Sequence, residues 1–303
     1  MNKVTKMRIR QQLPFQLMVW PGMILLLIFA YTPMMGLVIS FQDYAVGVNF
    51  WDSPFVGLKH FNEFLRDSTF WMSFKNTIIL SLLKMFVVFP MPILLALIIN
   101  EIPGQKYKKL VQTSSYFPHF IAYVVVAALW INVLDPRGLV NNTLMMLNIV
   151  DAPIEFWTDP AKFKLLATLL DIWKNIGWSA IIYFAAITGI NSELYKSAKI
   201  DGAGRIDQIR FITLPSIAST IIIMFLLSIG GLVSGNLDSS VLLGNPFNKE
   251  TSYIIEYYTL DMGIKTMRYS FATAVGLFQS IITVTLVIFA NIVSRKVSDV
   301  SMF

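Results

Sequence analysis

The chain has 303 residues, of which 55% are hydrophobic and only 14% are charged. A water-soluble domain needs more charge on its surface, so this composition excludes an ordinary soluble protein and indicates one embedded in a bilayer. The sequence contains no cysteine, which excludes disulfides, thiolate metal sites and thiol nucleophiles. Its net charge of +6 comes from basic residues clustered in loops between apolar segments, which indicates membrane topology rather than nucleic-acid binding.

Apolar stretches of about 20 residues, the length that crosses a bilayer, recur six times along the chain. They predict an all-α membrane protein with a single transmembrane domain over residues 1–303. The six predicted spans cover about 17–41, 77–99, 117–134, 165–190, 216–235 and 271–293. The first stretch is too long for the core of a signal peptide, so we expect it to be a membrane helix.

Basic residues predict which side of the membrane each loop occupies. The N-terminal segment carries Lys3, Lys6, Arg8 and Arg10 before the first span, which favours a cytoplasmic N-terminus. An even number of spans then places the C-terminus in the cytoplasm as well. The alternate loops, including the one at 191–213, also carry the excess of basic residues. His60 and His119 lie far apart in the chain, and we expect both to be structural.

The loop at 191–213, between the fourth and fifth predicted spans, carries the most informative motif. It reads ELYKSAKIDGA at 193–203 and is followed by ITLP at 212–215. The pattern predicts two short helices, the first capped by Ser192 and the second by Asp201. Gly202 follows Asp201 at the break, where a glycine can adopt a positive φ or allow two backbones to approach closely.

This motif resembles the conserved cytoplasmic loop of binding-protein-dependent importer permeases, in the form found in carbohydrate permeases. The segments WKNIGW at 173–178, NLD at 236–238 and YSFATAVG at 269–276 are also similar to oligosaccharide permeases of that family. The resemblance implies the type I fold of ABC importer permeases, in which this loop forms a coupling helix that sits in a groove of a cytoplasmic ATPase. The coupling role then falls on Glu193, Leu194, Tyr195, Lys196, Ala198, Ile200, Asp201, Gly202, Ala203, Leu214 and Pro215. Lys196-Ser197 departs from the usual Glu-Ala and reverses a charge at the expected ATPase contact.

The resemblance also implies a function and a set of partners. It predicts a permease subunit, not itself an enzyme, that imports sugars or oligosaccharides into a bacterial cell. The sequence has no Gly-x-x-x-x-Gly-Lys-Ser/Thr loop, so we expect ATP and magnesium on a separate ATPase and no cofactor or metal in this chain. The expected partners are a second homologous permease, two cytoplasmic ATPase subunits, an extracellular solute-binding protein, the sugar and the lipid bilayer.

Polar and aromatic side chains in four of the predicted spans indicate a substrate path toward the outer mouth. Charged groups in membrane segments are costly and usually face a cavity or a partner. On the predicted boundaries, Lys84 lies about 10 Å and Asp171 about 9 Å from the outer end of its helix. The predicted path residues are Lys84, Trp130, Asn132, Asp171, Trp173, Lys174, Asn175, Trp178, Asn236 and Asp238.

Several alternatives stay open at this point. Asp171 and Lys174 are three residues apart and could neutralise each other, and the tryptophans could be interfacial anchors. Gly231 and Gly235 favour a close helix contact over a ligand site. The chain could also be a permease of the same superfamily for amino acids, peptides or ions. A membrane enzyme is disfavoured because no carboxylate pair shares a patch with a histidine or nucleophile.

Overall fold

The computed structural model describes residues 3–231 and 236–298. These residues contain no β-strand and only one isolated antiparallel bridge, between Gln42 and Phe55. The described part of the chain therefore has the all-helical architecture that the sequence predicts.

Six helical segments coincide with the six predicted spans. Four are single helices long and apolar enough to cross a membrane, and we name them the first, second, fourth and sixth spans: Gln12–Phe41, Ser68–Glu101, Pro160–Thr188 and Tyr269–Lys296. Two are bent pairs, named the third and fifth spans: Gln105–Phe120 with Tyr123–Val133, bent by 102°, and Arg205–Ser216 with Ala218–Ile229, bent by 61°. Counting each pair as one span gives six.

Capping explains where two of the helices begin. The second span starts at Ser68, nine residues before its predicted start, because the Asp67 side chain accepts the backbone N–H of Thr69 at 2.8 Å. The fourth span starts at Pro160, where Asp159 accepts the N–H of Ala161 at 2.9 Å. Both helices extend beyond their apolar cores, and hydropathy alone does not locate these polar starts.

Short helices connect the spans. They are Lys59–Arg66, Leu139–Met146, Ser192–Ile200, Leu237–Leu243, Lys249–Ser252 and Ile255–Leu260, with a 3-10 turn at Phe50–Asp52. Wider π-helical turns interrupt the regular helix at Leu27–Tyr31, Lys84–Val88, Ile209–Thr213 and Asp261–Lys265. The predicted end of the fifth span at 235, with Gly235, lies outside the described residues.

Contacts divide the chain into two compact units. The first comprises Met1–Arg66 and Thr259–Leu277. Within it, the buried His60 ring binds the Gln42 carbonyl at 3.0 Å, which gives this histidine a structural role. Asp43 accepts a hydrogen bond from Lys59 at 2.7 Å, and this bond holds the pKa of the Asp43 carboxyl below its usual value.

The second unit comprises Asp67–Tyr258 and Phe278–Phe303, and it contains two apolar clusters. One joins the second, fourth and fifth spans through buried side chains that include Ala96, Tyr183 and Ile217. The other joins the third and fourth spans and includes Val126 and Phe163. Both clusters involve the fourth span, which is therefore the central helix of this unit.

Candidate coupling loop and translocation path

The first helix of the loop at 191–213 spans Ser192–Ile200. Its cap is Asn191, whose side-chain oxygen accepts the N–H of Glu193 at 3.0 Å. The prediction that Ser192 caps this helix is wrong, because the Asn191 side chain reaches the free N–H groups one position earlier. Glu193 lies in the first turn, as predicted, where a negative charge is favourable beside the helix N-terminus.

Gly202 terminates this helix in the left-handed conformation, with φ of +83°. Its N–H donates to the Lys199 carbonyl at 3.1 Å, and the N–H of Ala203 donates to the Ala198 carbonyl at 2.8 Å. These two bonds form a Schellman motif, which requires a positive φ at the position of Gly202. The predicted positive φ is confirmed.

Asp201 does not cap the second short helix, so that prediction is wrong. The helix begins at Arg205 after Gly204, and the N–H of Gly204 donates to the Asp207 carboxylate at 3.2 Å. The Schellman turn moves the chain three residues past Asp201 before helical geometry resumes. Asp201 is instead the exposed C-cap residue that follows the first helix.

Two contacts join the loop to the membrane helices. The Tyr195 hydroxyl lies 2.9 Å from the hydroxyl of Thr213, which is buried in the π-helical turn at the start of the fifth span. Arg205 Nε lies 3.9 Å from the Glu101 carboxylate at the end of the second span. Leu214, half-buried, packs against the cluster that joins the second, fourth and fifth spans. The loop therefore has contacts with the second and fifth spans.

Four apolar side chains of the loop are exposed. Ile200 is 87% exposed and Ile206 is 79% exposed, and Leu194 and Phe211 are also exposed. Burial of such side chains is favourable, so their exposure in a loop between two spans favours contact with another protein. We define the apolar loop surface as Leu194, Ile200, Ile206 and Phe211. Pro215 is exposed, and Ala198 and Ala203 are half-buried.

Lys84 lies midway along the second span, 16 residues after Ser68 and 17 before Glu101. At a rise of about 1.5 Å per residue, it is roughly 25 Å from either end of the helix. The predicted distance of about 10 Å was counted from position 77, and the distance to the helix end is larger because the helix begins at Ser68. Lys84 opens a π-helical turn, and no described residue forms a hydrogen bond or ion pair with its ammonium.

Lys84 borders two cavities. The smaller, of about 30 Å³, is lined by Lys84, Asp171 and Asn236 together with hydroxyl side chains of Ser81, Thr168 and Ser239. The larger, of about 340 Å³, is lined by Lys84, Trp178, Tyr183 and Ser179 among others. The structure thus brings four of the predicted path residues to adjoining cavities.

Lys174 is buried at 7% exposure, and its ammonium binds backbone carbonyls. It donates to Ile121 at 2.6 Å, His119 at 2.9 Å and Pro118 at 3.4 Å. These carbonyls lie at the 102° bend of the third span, where the helix is interrupted, and the Pro118 carbonyl also accepts the backbone N–H of Ile121 at 3.2 Å. No described ion pair joins Lys174 to Asp171, so the self-neutralising alternative is not observed.

A hydrogen-bonded chain lies beside the bend. The Asn175 amide donates to the Asp171 carboxylate at 2.7 Å, and its oxygen lies 3.0 Å from His119 Nδ1. Because Asp171 fixes the orientation of the Asn175 amide, His119 Nδ1 carries a proton. The His119 ring stacks on Trp178 with centroids 4.7 Å apart. Asp171 thereby positions, through two side chains, an aromatic ring that borders the larger cavity.

The remaining predicted path residues lie outside these cavities. Trp130 and Trp173 contact each other with ring centroids 6.2 Å apart. Asn132 is exposed and donates to the Ala128 carbonyl at 2.8 Å, and Asp238 is exposed in the first turn of the helix Leu237–Leu243. Their place in a substrate path stays a prediction.

The sequence analysis missed several polar side chains next to the cavities. Tyr123 is hydrogen-bonded to Ser239, and its hydroxyl accepts from the Asn236 amide at 3.0 Å. Thr168 and Ser81 line the smaller cavity. Single hydroxyls are common in apolar runs and give no distinctive pattern, so only proximity in space identifies these residues.

Over residues 70–299 the sequence matches the family described as "Binding-protein-dependent transport system inner membrane component". The chain belongs to this family. The match covers nearly all of the second through sixth spans and includes the candidate coupling loop at 191–213.

Relatives and solved structures extend the similarity over nearly the whole permease. The polygalacturonan/rhamnogalacturonan transport system permease YteP of Bacillus subtilis (strain 168) is 40% identical over 97% of this chain and 91% of its own length. Protein LplB of the same organism is 35% identical over 95% and 90% of the two chains. A crystal structure of a bacterial ABC transporter involved in import of the acidic polysaccharide alginate has a chain with a TM-score of 0.89 and 37% identity. The match covers 98% of this chain and all of that one.

These comparisons confirm the predicted family and the predicted type I importer permease fold. The chain is a multi-pass membrane protein and the permease component of a binding-protein-dependent importer. A further solved structure, 38% identical with a TM-score of 0.89, is a bacterial alginate ABC transporter in complex with an alginate pentasaccharide-bound periplasmic protein. The family name and this complex both support a solute-binding protein as a partner.

Proposed function

We propose that this chain is the permease subunit of an ABC importer that moves sugars or oligosaccharides across a bacterial cell membrane. Its substrate arrives on an extracellular solute-binding protein, as the alginate pentasaccharide does in the neighbouring structure. The observation that carries the proposal is the loop at 191–213. It carries four exposed apolar side chains, and its Tyr195 is hydrogen-bonded to Thr213 at the start of the fifth span.

Coupling of ATP hydrolysis to transport requires a loop that keeps its conformation while the ATPase moves it. The Schellman turn at Gly202 and the Asn191 cap fix both ends of the first short helix. An ATPase groove would bury the apolar loop surface, and its closure would displace the loop. The contacts of Tyr195 with Thr213 and of Arg205 with Glu101 pass that displacement to the fifth and second spans.

The other components of the importer follow from this role. This chain is not an enzyme, and two cytoplasmic ATPase subunits bind ATP and magnesium. A second homologous permease completes the path, because six spans enclose only part of one. Both termini lie in the cytoplasm, which places the coupling loop on the ATPase side.

Reconstitution of the complete importer tests the proposal. Proteoliposomes containing this chain, the partner permease and the ATPase should accumulate labelled oligosaccharide only when ATP and loaded solute-binding protein are both present. Omission of any subunit should abolish uptake. Uptake by this chain alone would contradict the proposal, and uptake of an amino acid or peptide but no sugar would favour the alternative substrate classes.

A further inference from the structure

Lys84 is a cation in the middle of a membrane helix, and no described residue forms a hydrogen bond or ion pair with its ammonium. It lies 16 residues after the start of the second span and 17 before its end, within the apolar part of that helix. An ionisable residue at this depth is costly and normally faces a cavity or a counter-charge. Among the described residues no counter-charge contacts it, whereas Lys174 has three carbonyl partners.

The larger cavity has the chemistry of an acidic sugar site. Lys84 is the only charged residue among its described lining residues, so the cavity carries net positive charge. Trp178 lines the cavity with its aromatic side chain, and its indole ring is held in place by stacking on the His119 ring. Ser179 and Ser228 add hydroxyls. The cavity volume of about 340 Å³ falls in the range of small-molecule sites.

Tyr183 supplies an independent observation. It lies on the fourth span, is 3% exposed and lines this cavity, yet its hydroxyl has no hydrogen-bond partner among the described residues. The rest of the side chain is enclosed by protein, and a ligand hydroxyl in the cavity would pair with this phenol. An unpaired ammonium and an unpaired phenol therefore line one cavity.

We propose that Lys84 binds the carboxylate of a uronic-acid unit as an acidic oligosaccharide passes through the permease, with Trp178 and Tyr183 contacting the same sugar. This inference rests on the proposed function and specifies its substrate class. Asp171 does not oppose it, because Asp171 lines the smaller cavity, which is too small for a sugar ring, and its carboxylate binds Asn175.

The absence of cysteine from the chain allows a chemical test. The importer is assembled with a partner permease and an ATPase that have no reactive thiols. In it, the Lys84→Cys variant should take up galacturonate pentamer at least about tenfold more slowly than the wild type. A tenfold loss is the scale of one charge-assisted hydrogen bond. Aminoethyl methanethiosulfonate adds an ammonium at the cysteine and should restore most of the uptake. Propyl methanethiosulfonate adds a neutral group of similar size and should not.

Two further measurements separate charge from packing. Galacturonate pentamer should slow labelling of the Lys84→Cys variant, and maltopentaose, a neutral chain of the same length, should not. The Thr285→Cys variant, at an exposed position on the sixth span, controls for reagent effects elsewhere. If Lys84→Cys does not assemble, the variants Lys84→Arg and Lys84→Met are compared instead. Lys84→Arg should keep most of the galacturonate-pentamer uptake, and Lys84→Met should lose it.

Wild-type uptake by Lys84→Cys, or equal rescue by the cationic and neutral reagents, would overturn the proposal for Lys84. Equal protection by the acidic and neutral pentamers would overturn it as well. Failure of the proposed function is distinguishable, because the wild-type importer would then take up neither pentamer.

Discussion

Two lysines in the membrane helices differ in what surrounds them. Lys174 on the fourth span is buried and bonded to three carbonyls at the bend of the third span. Lys84 on the second span borders two cavities and has no protein partner among the described residues. A charged group in a membrane protein that the fold itself satisfies is part of the architecture. One that the fold leaves unsatisfied is available to a ligand.

Lys174→Met tests the architectural half of this comparison and should have the largest effect on stability. It removes the ammonium that binds the His119 and Ile121 carbonyls at the 102° bend, and each unsatisfied buried group costs about 1–3 kcal/mol. The Pro118 carbonyl keeps the backbone N–H of Ile121, so we expect a loss of roughly 2 kcal/mol or more, seen as a lower melting temperature of the purified complex and poor assembly. Lys84→Met is the matched control and should assemble normally. Equal destabilisation by both variants would contradict the distinction.

Gly177→Ala should have the next largest effect, because it separates the two helices that Lys174 joins. A Cβ atom at Gly177 would lie 2.0 Å from the Ser115 carbonyl oxygen, and backbone atoms can yield only by moving the helices apart. Overpacking of this kind costs about 1–3 kcal/mol.

Gly276→Ala on the sixth span is the control for Gly177→Ala, since among the described residues nothing lies within 4 Å of its added Cβ. Alanine favours a helix over glycine by about 1 kcal/mol at most, so this variant should melt at or slightly above the wild-type temperature. A normal melting temperature for Gly177→Ala would show that the third and fourth spans are less closely packed.

The sequence predicts the parts of this fold that depend on local pattern. Hydropathy locates six spans, and the position of Gly202 after Asp201 correctly predicts a left-handed residue. The start of the second span at Ser68 was missed because a polar capped segment has no hydropathy signal. The role of Lys174 depends on residues 53 to 56 positions away in the chain, and no local pattern reveals such contacts.

Gly202→Val should affect coupling more than stability. Positive φ is strongly unfavourable for a β-branched residue, so the Schellman turn should distort, although nothing described lies within 4 Å of the new Cβ. The spans should still assemble, while uptake and ATP hydrolysis stimulated by loaded solute-binding protein should fall together, by about tenfold for a strain of 1–3 kcal/mol.

Asparagine tolerates the left-handed conformation, so Gly202→Asn separates backbone geometry from the mere presence of a side chain. It should retain most of the uptake and stimulated hydrolysis that Gly202→Val loses. If Gly202→Val keeps both activities at wild-type levels, the loop at 191–213 is not the coupling element.

Lys196→Glu should have the smallest effect, and it tests whether charge on the loop surface matters beside loop geometry. Lys196 pairs with Glu193 at 2.8 Å, but both side chains are about two-thirds exposed, and exposed pairs contribute only about 0–1 kcal/mol. The change replaces an attractive pair with a repulsive one three residues apart, which costs a few tenths of a kcal/mol in a helix. The Asn191 cap and the Schellman turn at Gly202 do not involve this side chain, so the loop should keep its shape. Uptake should therefore change less than about twofold. The change should depend on salt concentration, unlike that of Gly202→Val, because screening weakens charge effects but not backbone strain.

Uptake measured for both variants at low and high salt decides the point. A loss from Lys196→Glu as large as that from Gly202→Val, and insensitive to salt, would mean that Lys196 itself contacts the ATPase through a specific buried bond.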